Sequence, residues 1–181
     1  ARSHDRIILM RFKPYGYILL AGIVLLAALI LLRSSETEKI LQQLEDIRVL
    51  AEVHSAETAL EQARKARQIG QAFSEQTRYD LTNAGHGIID ITSRKELVQN
   101  ILRGRATLAA LELAMDDPQV HIDGDTARVE LQGSATGSSR GAQGQFLDIH
   151  TVEILLEKDQ DGWLVTGARH IRDERQHDKP G

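Results

Sequence analysis

Residues 120–131 read VHIDGDTARVEL, and this stretch decides the fold. Val120 and Ile122 alternate with polar neighbours, Asp123-Gly124-Asp125 is turn chemistry, and Ala127, Val129 and Leu131 resume the alternation. A period of two on both sides of a Gly-containing turn predicts an antiparallel hairpin with one buried face. Downstream the pattern continues: residues 146–157 predict a long strand, Asp159-Gln160-Asp161-Gly162 a turn, and residues 163–171 a closing strand. Residues 133–144 (GSATGSSRGAQG) read as the loop that joins the two hairpins.

Upstream the period lengthens. Ile40, Leu44, Ile47, Leu50 and Val53, then Leu60, Ala63, Ala66 and Ile69, recur at steps of mostly three or four, the spacing of an amphipathic helix. Thr58-x-x-Glu61 fits a capping box. With a break near His54-Ser55, it predicts two helices here rather than one long stalk. Thr77–Asn83 and Ile88–Ile91 read as short strands around a Gly-containing turn. Ser93-x-x-Glu96 opens a further helix carrying Leu97, Ile101 and Leu102. Helices first and an antiparallel sheet after them is an α+β order.

The N-terminus is a different substance. Tyr15–Leu32 (YGYILLAGIVLLAALILL) holds 18 residues without a charge. As a helix it is about 27 Å long, close to the hydrocarbon thickness of a bilayer. Arg2, Arg6, Arg11 and Lys13 precede it, opposed by Asp5, and no small-x-small cleavage site follows at Leu31–Ser35. The expectation is an uncleaved anchor with its N-terminus in the cytoplasm and the remainder outside, in a bacterial inner membrane. The chain then divides into a basic cytoplasmic segment (1–14), a transmembrane helix (15–33), a helical linker (34–54), a folded domain (55–172) and a disordered tail (173–181).

Composition supports that division. The 181 residues carry a net charge of −4, which splits into +4 over residues 1–33 and −8 over residues 34–181. An acidic domain without a basic stripe argues against nucleic acid, which is bound by clustered Lys and Arg that displace counterions. With no cysteine, disulfide scaffolds, thiol nucleophiles and thiolate metal sites are excluded.

Three segments carry a resemblance. QAFSEQTRYDLTNAGHGIIDITSRKELVQNIL (71–102), VHIDGDTARVEL (120–131) and TVEILLEKDQDGWLVTGARH (151–170) resemble, in that order, the helix–strand–turn–helix pattern, the DGDTA-type hairpin and the closing Gly-Trp hairpin of the nuclear transport factor 2-like (SnoaL/ketosteroid isomerase-like) superfamily. The resemblance covers about residues 55–172. It implies a cone-shaped domain of helices packed on a curved antiparallel sheet. In the family's isomerases a Tyr and acidic residues act in the mouth of the cone, but no motif places that set here, so no catalytic residue is carried over. Some members are bitopic, among them the inner-membrane assembly component of type IV secretion systems, and this chain shares that layout. Anchored pilus and type II secretion proteins ending in a ferredoxin-like module fit the order of elements less well.

Chemistry-bearing residues are few. Along residues 146–157, alternation places Phe146, Asp148, His150, Val152, Ile154 and Leu156 on one face, the core face, with Glu153 and Glu157 pointing away. Asp148 and His150 at i and i+2 form a candidate acid–base pair in the wall of a pocket. Tyr79 and Trp163 complete the set of pocket candidates. The seven histidines show no ligand spacing, Gly137-x-x-x-Gly141-x-x-Gly144 lacks the Lys-Ser/Thr of a phosphate loop, and the Asp-rich turns lack the remaining ligands of a calcium loop. His170 and His177 read as solvated, and neither a metal nor a cofactor is expected.

Two functions follow as expectations. The first is a membrane-anchored, non-enzymatic interaction or assembly module of a cell-envelope complex, its partners other membrane subunits or a second copy of itself. The second is a small-molecule-binding or lyase/isomerase-type domain with a pocket in the cone. A cone mouth open to solvent and lined by Asp148, His150 and Tyr79 favours the second, and a cavity plugged by Leu and Phe counts against it.

Overall fold

The computed structural model describes residues 35–55, 57–82, 87–141 and 144–171. The expected cytoplasmic segment, the transmembrane helix 15–33 and the tail 173–181 lie outside them. Among the described residues no helix is long and apolar enough to cross a membrane. The chain divides into two compact units, Ala1–Glu36 and Thr37–Gly181, and the account below concerns the second.

Residues 35–51 form the first helix described, α1, and α2 follows at Ala59–Gln71. The break falls where the capping box predicts it. The Thr58 side chain accepts from the Glu61 N–H, and the Glu61 carboxylate accepts from the Thr58 N–H at 2.8 Å. Strands β1 (Phe73–Leu81) and β2 (Gly87–Ile91) come next, then α3 (Arg94–Thr107), capped at Ser93. Four long strands complete the order: β3 (Leu108–Asp123), β4 (Thr126–Ser139), β5 (Gln145–Lys158) and β6 (Trp163–His170).

All six strands lie in one sheet, in the order β2-β1-β6-β5-β4-β3. The hairpin at residues 120–131 forms in the expected register, Ile122 opposite Ala127 and Val120 opposite Val129. Two expectations are corrected. First, the sheet is mixed rather than antiparallel, because β1 runs parallel to β6. Alternation reveals which face of a strand is buried, but not the direction of a partner ninety residues away in the chain. Second, residues 133–139 of the Gly/Ser-rich stretch are not loop. They extend β4, paired to both β3 and β5 without a shift on the β5 side. Gly137 is required there: a Cβ would stand 2.5 Å from the Ala110 carbonyl oxygen and 2.8 Å from the Phe146 ring.

The core lies on one face of the sheet, hereafter the inner face. Ala127, Val129, Leu131, Leu156, Trp163 and Val165 meet Ile40 and Leu44 of α1. Ile40 is wholly buried, so the helix expected as a linker supplies two of the largest buried groups in this cluster. Its C-terminal end is fixed by α3. The Arg105 guanidinium donates to the carbonyls of Leu50, Ala51 and Glu52 at 2.9–3.0 Å, satisfying acceptors that a helix end leaves unpaired.

Candidate functional site

Cross-strand register builds the site. On the inner face Leu113, Ala135 and Asp148 form one row, and Met115, Gly133 and His150 the next. Leu131, Val152 and His170 follow. The β4–β5 register carries no shift, so Asp148 and His150 stay on the core face as alternation requires. They line a cavity of about 300 Å³ roofed by Leu44, Ile47, Arg48 and Ala51 of α1 and walled by Met115, Val152 and Ile154. Gly133 leaves part of this space vacant.

The wall is apolar apart from a few groups. The His150 Nε2 lies 2.8 Å from the Asp148 Oδ1. The two side chains are 41% and 62% exposed, which puts them at the mouth and not in the depth. The His170 ring meets the His150 ring edge to face, with centroids 4.8 Å apart. Arg48, on the helix side, is held by Glu45, Glu52 and the Leu113 carbonyl.

The remaining pocket candidates are not brought here. Tyr79 pairs with Ala168 of β6 and shares the inner face, but it is outside the cavity wall. Its burial pushes the phenol up from its ordinary value. Trp163 is a core residue outside this cavity: it is 5% exposed, packed with Val165 and Leu156 beside the β5–β6 turn, with the Lys158 ammonium 5.6 Å from its ring centroid.

Sequence reasoning missed His170 and Arg48. A register shift intervenes on β6: Val165 pairs with Leu156, but Gly167 pairs with Leu155. The shift turns His170 inward where simple alternation from Trp163 turns it outward. Arg48 lay on the polar face of a helix read as a linker. Its signal was the spacing Glu45-x-x-Arg48-x-x-x-Glu52, which permits two ion pairs on one helix face.

The family model of the SnoaL-like domain matches residues 42–169. Solved structures share the fold. A Kribbella flavida protein, Kfla4162, superposes with a TM-score of 0.62 at 12% identity, covering 76% of this chain and 90% of its own. A nuclear transport factor 2-like superfamily protein from Salmonella enterica serovar Typhimurium gives 0.59 at 16%, covering 82% and 99%. A proposed scytalone dehydratase from Novosphingobium aromaticivorans gives 0.61 at 9%, covering 82% and 93%. These likenesses establish the α+β cone, with helices on a curved mixed sheet. No curated protein matches the chain.

Proposed function

The chain belongs to the SnoaL-like domain family, and on that premise we propose that its cone binds a small, largely apolar molecule and acts on it by acid–base chemistry at Asp148 and His150. One observation carries the reading: an open cavity of about 300 Å³ whose mouth holds an imidazole and a carboxylate 2.8 Å apart. That volume is at the lower end of small-ligand sites. The reaction class is elimination of water or migration of a double bond. A dehydratase name among the similar folds supports it.

The chemistry follows from the hydrogen bond. With Nε2–H donating to the Asp148 carboxylate, neutral His150 keeps its lone pair on Nδ1, a tautomer assigned from the hydrogen bond. That nitrogen removes a proton from a carbon beside a carbonyl, the C–H electron pair forms the double bond, and the leaving hydroxyl takes the proton back from the imidazolium and departs as water. Asp148 stabilises the imidazolium while it lasts. Ligand titration of the full chain in lipid nanodiscs tests the reading. Gly133→Leu is expected to fill the cavity and abolish binding. Binding that survives this change overturns the proposal.

The apolar segment 15–32 is part of the proposal as a membrane anchor, with the domain on the extracytoplasmic side. Release of the full chain from membranes by salt alone, without detergent, overturns that part. A second reading, the tethered assembly module, is favoured by Leu147 and Ile149, exposed by 66% and 50% on the outer face. Its test is co-purification after gentle detergent extraction, with Leu147→Ser/Ile149→Ser as the comparison. Recovery of a lone monomer from the unaltered chain counts against it.

A further inference from the structure

Resting on the reading of the cavity as a ligand site, we propose that it takes an amphiphilic amine, whose apolar body fills the cavity while its ammonium group stays at the mouth against Asp148. The site is polar at one end. Leu44, Ile47, Met115, Val152 and Ile154 line it, and the Asp148 side chain, 62% exposed, stands at the opening. An ionised carboxylate offers about four acceptor positions. His150 Nε2, 2.8 Å from Oδ1, takes up one of them and leaves the others for a donor from the ligand.

The charge balance selects the same class. Arg48, in the wall, donates to both oxygens of Glu45 at 2.8 and 2.7 Å, to Glu52 at 2.5 Å and to the Leu113 carbonyl at 2.8 Å. Two carboxylates answer this one guanidinium, and Asp148 adds a further negative charge, so these groups together are net negative. A ligand carboxylate is repelled there. A neutral hydroxyl can donate to Asp148 but gains nothing from the net charge, whereas an ammonium gains the Coulombic attraction as well. Buried among the apolar side chains, the ammonium would lose its hydration without return. At the mouth it keeps water on the side away from Asp148 and lays its hydrocarbon inside, as a lysine stem does on an apolar surface.

Three probes sharing a naphthalene body test this in calorimetry on the full chain in phosphatidylcholine nanodiscs: 2-naphthylmethylammonium, 2-naphthylmethanol and 2-naphthoate. Uptake by the lipid, measured on empty discs, is subtracted. The ammonium is expected to bind about tenfold more tightly than the carboxylate and about threefold more tightly than the alcohol, with both margins shrinking as salt is raised. Asp148→Asn is expected to remove the margin over the alcohol while the alcohol still binds. Alcohol or carboxylate binding the unaltered chain as tightly as the ammonium overturns the amine class and leaves the cavity reading in place. A margin over the alcohol that survives Asp148→Asn overturns the role given to Asp148. No binding by any probe, or binding that persists in Gly133→Leu, overturns the cavity reading itself. Should Asp148→Asn fail to fold, the ranking on the unaltered chain and its salt dependence decide.

Discussion

Arg105 and Glu57 meet at 2.6 Å with both side chains more than nine-tenths buried. Glu57 also receives Lys65 at 2.6 Å. Burial alone raises a carboxyl, but the hydrogen bonds from Lys65 and Arg105 outweigh it and hold Glu57 below its ordinary value of 4.5. Stability from this group is therefore complete above about pH 4.5 and is lost as pH falls below it. Glu57→Gln is expected to flatten the acid limb of a denaturation series measured from pH 5 to 3. An acid limb as steep as that of the unaltered chain removes Glu57 from the account. Arg105→Met, which leaves the buried carboxylate only Lys65 and removes the donor from three helix-end carbonyls, is expected to destabilise by about 3–5 kcal/mol in urea unfolding.

Helix α1 belongs to the core by the burial of Ile40 and Leu44. Ile40→Ala is expected to lower unfolding free energy by about 2–5 kcal/mol, as large-to-small changes at wholly buried sites do. A solvated linker loses under about 0.5 kcal/mol from the same change. Chemical denaturation separates the two.

Gly167 and Gly133 respond oppositely to a methyl group. At Gly167 a Cβ runs into the Arg78 carbonyl of the parallel strand β1, whereas at Gly133 the nearest atoms stand 3.6 and 3.9 Å away. Gly167→Ala is expected to lower stability by about 1–3 kcal/mol, the range for overpacking. Gly133→Ala is expected to change it by less than about 1 kcal/mol. Thermal unfolding of the pair makes the comparison, and an equal response from both refutes the assigned β1–β6 approach.

Asp148 and His150 sit at the cavity mouth with much of each side chain in water. Asp148→Asn and His150→Gln are expected to leave stability within about 0.5 kcal/mol of the unaltered chain. Both are expected to lower turnover of a hydroxyketone by about 100-fold or more, the contribution of a positioned acid–base group. Turnover unchanged in both variants ends the acid–base reading.

Where the chain repeats with a fixed period, the fold was legible. The 120–131 hairpin, the strand beginning near Phe146 and the break before Thr58 are local consequences of alternation and capping. Asp148 and His150 were legible for the same reason, since thirteen consecutive paired residues of β5 keep one register against β4. The parallel β1–β6 pairing was not, being a contact between distant segments. Nor was His170, hidden by a one-residue shift between Val165 and Gly167. Strand structure at residues 133–139 was hidden by composition: glycines that suggest flexibility are there because neighbouring carbonyls and a Phe ring leave no room for a side chain.

The Arg48–Glu52 pair has a second consequence, at the boundary of the sheet. Leu113 sits on the outermost strand. Its carbonyl accepts from Arg48, and its N–H donates to Glu52 at 3.3 Å, as though the ion pair were the peptide of a seventh strand. Two residues away, Leu111 exchanges both main-chain hydrogen bonds with Val53. Asp117, with φ of 49°, and Pro118 interrupt the same strand at a bulge further along. An open edge is a template for another chain, and charged side chains, proline and bulges are how proteins blunt one. Among the described residues, the opposite border is β2, where Ile88 and Ile89 remain exposed. Among the described residues, strand addition is therefore hindered along the Leu111–Pro118 part of the β3 edge, and the β2 border carries no such device.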